Sequence, residues 1–459
     1  MRKSSFGKIL VCLCFAVGAA ACGTDSPEIS FTRSDIVGGS VDVTDTAVMA
    51  LVNQTTSTTA EACSGTTIAT VGSSGIYLTA AHCVVANDGK GNVTTPIKVD
   101  DPANMAILPG PDWMTNLDSG QYFGIAQVVV HPCYDGAVDS PYDVALVRYL
   151  GALSTTPIIP AMTPAEDKLS VGTSLAVVGF GQTSTSTTSM NSERYQVARD
   201  IETITNSHFL YTQTDNKGAC EGDSGGPAIV QTANGQRVAG ITSFGDPNCN
   251  MVGASVRISP VYDFISSFIA AAPKALSCDE CSEAVVAPSN ACADQGALCS
   301  EVSSPCGKLF ACFGTCQDSA CASRCESTNS SGTAQYKALG TCQCGACTAC
   351  ANVQACGGTE SDPGTPAPTF NSGITCPAGT TTTGAAGGAG TGGSLGAAGT
   401  AGTSPASTGK TGCDCDVQPS TPSSLAPIIL GLVVALGRRR CSHEVDDREG
   451  LPITSRARP

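Results

Sequence analysis

Residues 220–227 read CEGDSGGP, and this stretch decides the fold and the chemistry expected of the chain. A serine hydroxyl is a poor nucleophile unless a base removes its proton and donors stabilise the oxyanion that forms. The glycines around Ser224 allow a sharp turn in which the backbone N–H groups of Gly222 and Ser224 point into one pocket. The motif alone is weak, because glycine and small polar residues are common in loops.

Two upstream segments supply the remaining groups. Residues 79–83 read TAAHC and follow the apolar run 75–78, so a short strand is predicted to deliver His82 at its end. Residues 142–147 read YDVALV, which places Asp143 at the start of a second apolar strand. The chain order His, Asp, Ser is one of the known orders of a serine catalytic triad.

These motifs resemble those of the chymotrypsin/trypsin family of serine proteases, from the IVGG at 36–39 to about Ala272. The resemblance implies an all-β double antiparallel β-barrel with a C-terminal helix, acting as a serine endopeptidase on protein or peptide substrates through an acyl-enzyme. The roles implied are His82 as general base, Asp143 as its orienting carboxylate and Ser224 as nucleophile. The backbone N–H groups of Gly222 and Ser224 would form the oxyanion hole.

The same resemblance implies binding roles. Asp223 would pair with the amine of Ile36 once an activating protease has freed it, and residues 243–245 (Ser243, Phe244 and Gly245) would pair with the substrate backbone. Gly218 stands where trypsin-like enzymes carry an aspartate for Arg and Lys side chains, and Gly245 and Gly253 would line the walls. Because burying a cation without a counter-charge is costly, we expect an open pocket that takes an apolar, bulky residue before the cut.

The cysteines of this region and the helix expected at its C-terminal end also fit the resemblance. It implies the disulfides Cys63–Cys83 and Cys220–Cys249 and gives no partner for Cys133. Further along, Ser259 is predicted to be the N-cap of a closing helix, with Pro260 at its first position. One apolar stripe of that helix consists of Val261, Phe264, Ile265, Phe268 and Ile269.

Composition limits the function classes. The 459 residues exceed one ordinary domain, and 26 cysteines with 14 % charged residues indicate an oxidising compartment. A net charge of −15 without a basic patch argues against nucleic-acid binding. Since no His/Asp/Glu cluster has the spacing of metal ligands, neither a metal nor another cofactor is expected.

The first residues predict export. Residues 1–21 combine a basic start with an apolar stretch and read as a signal peptide. The segment 19–22 (AAAC) fits an Ala-x-Ala cleavage site and also, imperfectly, a lipoprotein signal in which Cys22 is lipidated, so both readings stay open. Residues 22–35 are expected to be a propeptide. Asp35 stands before Ile36 instead of the usual Arg or Lys, so the activating cut is not specified.

Residues 278–356 form a separate Cys-rich module. They contain fourteen cysteines and too few large apolar residues for an ordinary core, which favours a disulfide-rich, helical module. Cys312, Cys316, Cys321 and Cys325 have the spacing of one helical face, and the cysteines from 342 to 356 suit a second leg of a stapled hairpin. The alternative is zinc binding through the pairs Cys278/Cys281 and Cys347/Cys350.

The C-terminal part predicts a tether and an attachment signal. Residues 357–412 are rich in Gly, Thr, Ala, Ser and Pro and are expected to be a disordered linker. Residues 413–440 join a CDC motif, a short apolar segment and an Arg cluster, which resembles the sorting signal of myxobacterial surface proteins (the MYXO-CTERM type). A mixed basic and acidic tail, 441–459, follows. The alternative is a plain transmembrane anchor, although the apolar segment is short for one.

The sequence therefore favours a bacterial, exported serine endopeptidase displayed on the outer cell surface or released. Its expected partners are protein or peptide substrates, an activating protease and the membrane or cell-surface anchoring machinery. The alternative class is a surface adhesion or recognition protein in which the Cys-rich module carries the function.

Overall fold

A computed structural model describes residues 30–32, 36–54, 59–88, 92–181, 192–301, 303–316, 318–360 and 369–377. The predicted signal peptide (1–21), most of the predicted propeptide and the predicted sorting segment and tail (413–459) lie outside these residues. Within them, every helix is too short or too polar to cross a membrane.

Most of the regular secondary structure up to residue 257 is β-strand. They are β1 (Ser30–Thr32), β2 (Ser40–Val41), β3 (Val48–Gln54), β4 (Thr59–Val71), β5 (Ser74–Thr79), β6 (Met105–Leu108), β7 (Phe123–Val130), β8 (Ala145–Leu150), β9 (Ser174–Gly179), β10 (Tyr195–Asp200), β11 (Thr203–Ile204), β12 (His208–Thr212), β13 (Pro227–Thr232), β14 (Gly235–Gly245) and β15 (Val252–Arg257). The helices are α1 (Trp113–Asp118), α2 (Tyr262–Ala271), α3 (Cys278–Ala284), α4 (Ala293–Ser300), α5 (Pro305–Phe313), α6 (Ser319–Thr328) and α7 (Ser330–Ala346).

The strands form two sheets. In the first, the order is β1-β4-β3-β6-β7-β8-β5, and β4 also pairs with β5, so the strands from β3 to β8 close into an antiparallel barrel. The strand β1 runs parallel to β4 at its edge. The second sheet has the order β11-β12-β15-β14-β13-β9-β10-β2 and is antiparallel throughout. This is the all-β arrangement that the sequence predicted for the first half of the chain.

A shared apolar core joins the sheets. Every residue of β8 is buried, because its two faces are both covered. Leu146 packs in a cluster with Val178 and Val256 of the second sheet, whereas Ala145 and Val147 pack in a cluster of the first sheet. The Arg194 side chain is also buried, and it forms an ion pair with the buried Asp42 carboxylate.

The closing helix begins later than predicted. Residues 259–261 form a 3₁₀ turn, and α2 starts at Tyr262 without a side-chain cap. Ser259 does not act as an N-cap, because its hydroxyl donates to the Asp167 carboxylate instead. The apolar stripe is placed as expected, with Phe264, Ile265 and Phe268 buried against both sheets.

The Cys-rich module is helical and consists of α3 to α7. Its disulfides are Cys278–Cys350, Cys281–Cys347, Cys292–Cys342, Cys299–Cys306, Cys312–Cys325, Cys316–Cys321 and Cys344–Cys356. The four cysteines between 312 and 325 do not share one helical face: the chain turns after α5, so they bridge α5 and its following turn to α6. The two Cys-x2-Cys pairs considered for zinc are bonded to each other as disulfides.

The module packs on the first barrel. Glu280 of α3 accepts a 2.6 Å hydrogen bond from Arg148 of β8, and both side chains are at least nine-tenths buried. Asn290 donates to the carbonyl of Gly151 over 2.8 Å. Because Arg148 is buried on the barrel, Glu280 supplies the counter-charge that its burial requires.

Residues 369–377 differ from the expectation of a linker without core contacts. Cys376 forms a disulfide with Cys133, which gives that cysteine the partner the sequence lacked. The Phe370 ring lies edge-on to Phe264 and Phe268 of α2, with centroid distances of 6.1 and 5.2 Å. Phe370, Ile374 and Cys376 thus dock this part of a segment that is otherwise rich in small residues.

Candidate active site

The predicted histidine stands at the end of β5. The strand runs into a 3₁₀ turn, Ala81–Val84, that carries His82. The disulfide Cys63–Cys83 ties this turn to β4. The His82 side chain remains 28 % exposed, so its outer edge is open to a substrate while its inner edge faces Asp143.

The Asp143 carboxylate is buried and holds the histidine through both of its oxygens. Its Oδ1 accepts from the His82 backbone N–H over 2.9 Å, and its Oδ2 lies 2.8 Å from His82 Nδ1. Ser243 Oγ also donates to Oδ2, over 2.6 Å. Burial raises the pKa of Asp143, but the charge of His82 and these hydrogen bonds outweigh it, so the pKa lies below its ordinary value.

The pKa of His82 is shifted in the opposite direction. Burial lowers it, but the Asp143 charge, the hydrogen bond to Asp143 and the charge of Glu61 together raise it above 6.5. With Nδ1 facing the carboxylate, the free nitrogen is Nε2 on the exposed edge. Such an imidazole can accept a proton from a hydroxyl on that side.

The predicted nucleophile lies on a turn packed against the histidine loop. Gly222 and Gly225 have φ of 87° and 77°, a left-handed conformation that favours glycine. A Cβ added to Gly225 would overlap Thr79 Oγ1 at the end of β5. The Ser224 carbonyl accepts from the Ser64 N–H over 2.9 Å. The turn therefore presents Ser224 beside the strand that carries His82.

Ser64 is a residue that the motifs did not indicate. Its Oγ accepts from the Phe180 N–H over 3.0 Å and donates to the Gly222 carbonyl over 2.8 Å. Because Ser64 lies in β4, it joins the glycine expected in the oxyanion hole to the first sheet and to the residue that follows β9. Only its position next to Cys63 could have drawn attention to it.

Asp223 and Ile36, the predicted activation pair, are both fully buried near the serine turn. The Asp223 carboxylate accepts from the N–H groups of Gly181 and Cys220 over 2.8 and 2.9 Å. Val37 exchanges two 3.0 Å backbone hydrogen bonds with Gly218. The segment that begins at Ile36 is therefore inserted beside the loop that precedes the serine.

The pocket region differs from the expectation of an open base. Gly218 and Gly253 lie on either side of the Gln213 carboxamide, which a Cβ on either glycine would overlap. The disulfide Cys220–Cys249 joins the two loops of this region. No motif indicated Gln213, because its position depends on how β12 pairs with β15.

The strand β14 lies between β13 and β15, and its last residues, Ser243, Phe244 and Gly245, extend beyond its pairing with β13. Gly245 is exposed and Phe244 is half-buried at this end of the strand, and their pairing with a substrate stays a prediction. The Ser243 side chain has the different role described above, since it points to Asp143.

The other described histidines lie apart from this chemistry. His131 is buried and stacks on Tyr142, and its burial lowers its pKa to about 4. His208 lies next to Phe244, and its burial lowers its pKa as well. Two groups of three metal-ligating residue types lie close together in the part of the chain described, around His82 and around Cys316, and every cysteine in them is in a disulfide.

Comparisons with known proteins agree with this geometry. A family model described as Trypsin matches residues 36–265. Phenoloxidase-activating factor 3 of Holotrichia diomphalia is 26 % identical over 231 residues, which is 46 % of this chain and 65 % of that protein. Phenoloxidase-activating factor 1 of the same species is 30 % identical over 198 residues, covering 37 % and 51 %. Melanization protease 1 of Drosophila melanogaster is 25 % identical over 204 residues, covering 38 % and 50 %. The matches thus span about half to two thirds of these relatives.

Proposed function

Because this chain belongs to the trypsin family, we propose that it is a serine endopeptidase that hydrolyses peptide bonds with Ser224, His82 and Asp143. The observation that carries the proposal is the buried Asp143 carboxylate, which holds the backbone and Nδ1 of His82 at 2.9 and 2.8 Å. That arrangement leaves Nε2 as the only imidazole nitrogen free to take a proton.

The reaction follows from these positions. His82 Nε2 removes the proton of Ser224 Oγ as the oxygen attacks the scissile carbonyl, and the resulting imidazolium is stabilised by Asp143. The N–H groups of Gly222 and Ser224 stabilise the oxyanion. His82 then gives its proton to the leaving amine, and the acyl-enzyme remains. Water hydrolyses the acyl-enzyme, with His82 again acting first as base and then as acid.

The substrate is proposed to be a protein cut after an apolar residue. The atoms nearest to a Cβ on Gly218 or Gly253 belong to Gln213 and Tyr211, neither of which would give a buried Arg or Lys a counter-charge. The relatives that are named as activating factors of another enzyme are consistent with a protein substrate.

Activation is proposed to require a cut between Asp35 and Ile36. The burial of Ile36 and the hydrogen bonds between Val37 and Gly218 are consistent with a new amine placed next to Asp223. A paired amine and carboxylate tolerate burial where an unpaired charge does not, so the cut can act as a switch. N-terminal sequencing of the active species tests this, and a start at Ser34 would contradict it.

We also propose export and display at the outer cell surface. The described residues contain ten disulfides, which form and persist in oxidising compartments. The protease domain (36–272) and the Cys-rich module (278–356) would be carried on the linker, and anchoring machinery would process the chain near Cys413 and Cys415. Mass spectrometry of the surface fraction should then lack peptides from Leu425 onward.

A fluorophosphonate probe tests the catalytic proposal directly. The activated protein should be labelled at Ser224, and Ser224→Ala should lose both labelling and peptide hydrolysis. Asp143→Asn should lose most of its turnover while remaining folded. An unlabelled but folded and correctly cut protein would favour the adhesion or recognition alternative.

A further inference from the structure

The base of the specificity pocket is occupied by a side chain from a neighbouring loop. A Cβ on Gly218 would overlap Cδ and Oε1 of Gln213, and a Cβ on Gly253 would overlap the same Oε1. Gly218 has φ of 150°, so a larger residue there would also strain the backbone. The two glycines therefore make room for Gln213 rather than for an open cavity.

Gln213 is held in one orientation. Its backbone N–H donates to the Met251 carbonyl over 2.9 Å, and its own carbonyl accepts from Asn216 over 2.8 Å. The side-chain Nε2 donates to the Ala219 carbonyl over 3.0 Å. Because Nε2 is engaged in this hydrogen bond, the other end of the amide, Oε1, faces Gly253.

The surroundings of Oε1 are polar. Gln213 is fully buried, and Oε1 has no hydrogen-bond partner among the described residues. The hydroxyls of Tyr211, Thr242 and Ser255 are buried close by, with Tyr211 facing the other two. Burial, together with the nearby Asp223 charge, raises the pKa of Tyr211, so its phenol stays neutral. An unpaired buried acceptor costs free energy, so its retention at Gln213 calls for an explanation.

We propose that the Gln213 carboxamide forms the floor of the specificity pocket and limits it to an uncharged side chain of about the size of leucine. This rests on the proposed endopeptidase function. The buried carboxamide fills the depth that a long cation or a large aromatic ring would need, and it offers a cation no counter-charge. Gln213 thus limits both the volume and the charge of the substrate side chain that the pocket accepts.

The test compares peptide substrates that differ only at the residue before the cut: Leu, Phe and Arg. Wild-type enzyme should have its highest kcat/KM with Leu. Gln213→Ala deepens the pocket, so the Phe/Leu ratio of kcat/KM should rise about tenfold or more. Gln213→Glu adds a carboxylate, so the Arg/Leu ratio should rise by a similar factor, and benzamidine should become an inhibitor.

Thr214→Ala, at an exposed neighbouring position, is the control and should leave both ratios unchanged. Fluorophosphonate titration of Ser224 gives the active fraction of each variant, so that a partly misfolded variant does not distort its ratios. Wild-type enzyme that prefers Arg or Phe would overturn the proposal without any variant. Labelled Ser224 with unchanged ratios in both variants would overturn the role of Gln213 alone, whereas absence of labelling in wild type would remove the endopeptidase function itself.

Discussion

Ser243 and Asp143 are joined by a 2.6 Å hydrogen bond from the serine Oγ to the carboxylate Oδ2, the same oxygen that His82 Nδ1 contacts. The three residues come from β14, the start of β8 and the turn after β5. A donor from the second sheet therefore fixes an acid that belongs to the first. Because Asp143 is buried, each donor to its carboxylate contributes more than it would at the surface.

Ser243→Ala should lower kcat while leaving KM nearly unchanged. Loss of a hydrogen bond to a charged group costs about 1.5 to 3 kcal/mol, which corresponds to about tenfold or more in rate if it is fully expressed in the transition state. The backbone of β14 that is proposed to pair with the substrate is kept, so substrate binding should persist. Steady-state kinetics with an apolar substrate measure this effect.

Ser170→Ala, in an exposed loop, is the matched control for loss of a serine hydroxyl. A Ser243→Ala variant with wild-type kcat would mean that the other two hydrogen bonds suffice to orient His82.

The rate should depend on the protonation of His82. Only the neutral imidazole can accept the Ser224 proton, so kcat/KM should fall as pH decreases through the pKa of His82 in the free enzyme. Because Asp143 raises this pKa above 6.5, the inflection should lie above that value. In Asp143→Asn the charge is lost, and the inflection should move to lower pH while turnover falls. An inflection below 6.5 in wild type would contradict the favourable charge interaction.

The buried pair of Arg194 and Asp42 should be important for stability. The Arg194 Nε lies 2.8 Å from Asp42 Oδ2, and both side chains are fully buried. The guanidinium also donates to the Val48 carbonyl over 2.9 Å. Arg194→Met would leave the Asp42 charge without its partner, so the free energy of unfolding should fall by about 3 to 5 kcal/mol.

Arg199→Met is the control, because its partner Asp215 is 52 % exposed. That change should cost about 1 kcal/mol or less. Chemical denaturation of the two variants measures the difference. Equal losses in both would show that burial of the Arg194 pair adds nothing.

Local sequence was sufficient to predict the family and the positions of the site residues in their elements. The motifs around His82, Asp143 and Ser224 are short and contiguous, and their glycines carry the required backbone conformations. Contacts between distant segments could not be predicted. The bond from Ser243 to Asp143 spans 100 residues, and the place of Gln213 depends on strand register. The N-cap predicted at Ser259 failed for the same reason, because Asp167 competes for its hydroxyl.

The disulfide Cys133–Cys376 should hold the downstream chain on the protease domain independently of the Cys-rich module. It joins positions 243 residues apart, and Phe370 packs on α2 just before it. A specific protease site inserted between Gly364 and Thr365 tests this. After cutting, the two fragments should migrate together on a non-reducing gel and separate on a reducing one.

In a variant that combines this site with Cys133→Ser and Cys376→Ser, the fragments should separate under both conditions. Before cutting, that variant should retain peptide hydrolysis, because neither cysteine contacts His82, Asp143 or Ser224 in the hydrogen bonds described. If the fragments of the disulfide-containing protein separate without reductant, Cys376 is not bonded to Cys133. The downstream chain would then be attached to the protease domain only through the Cys-rich module.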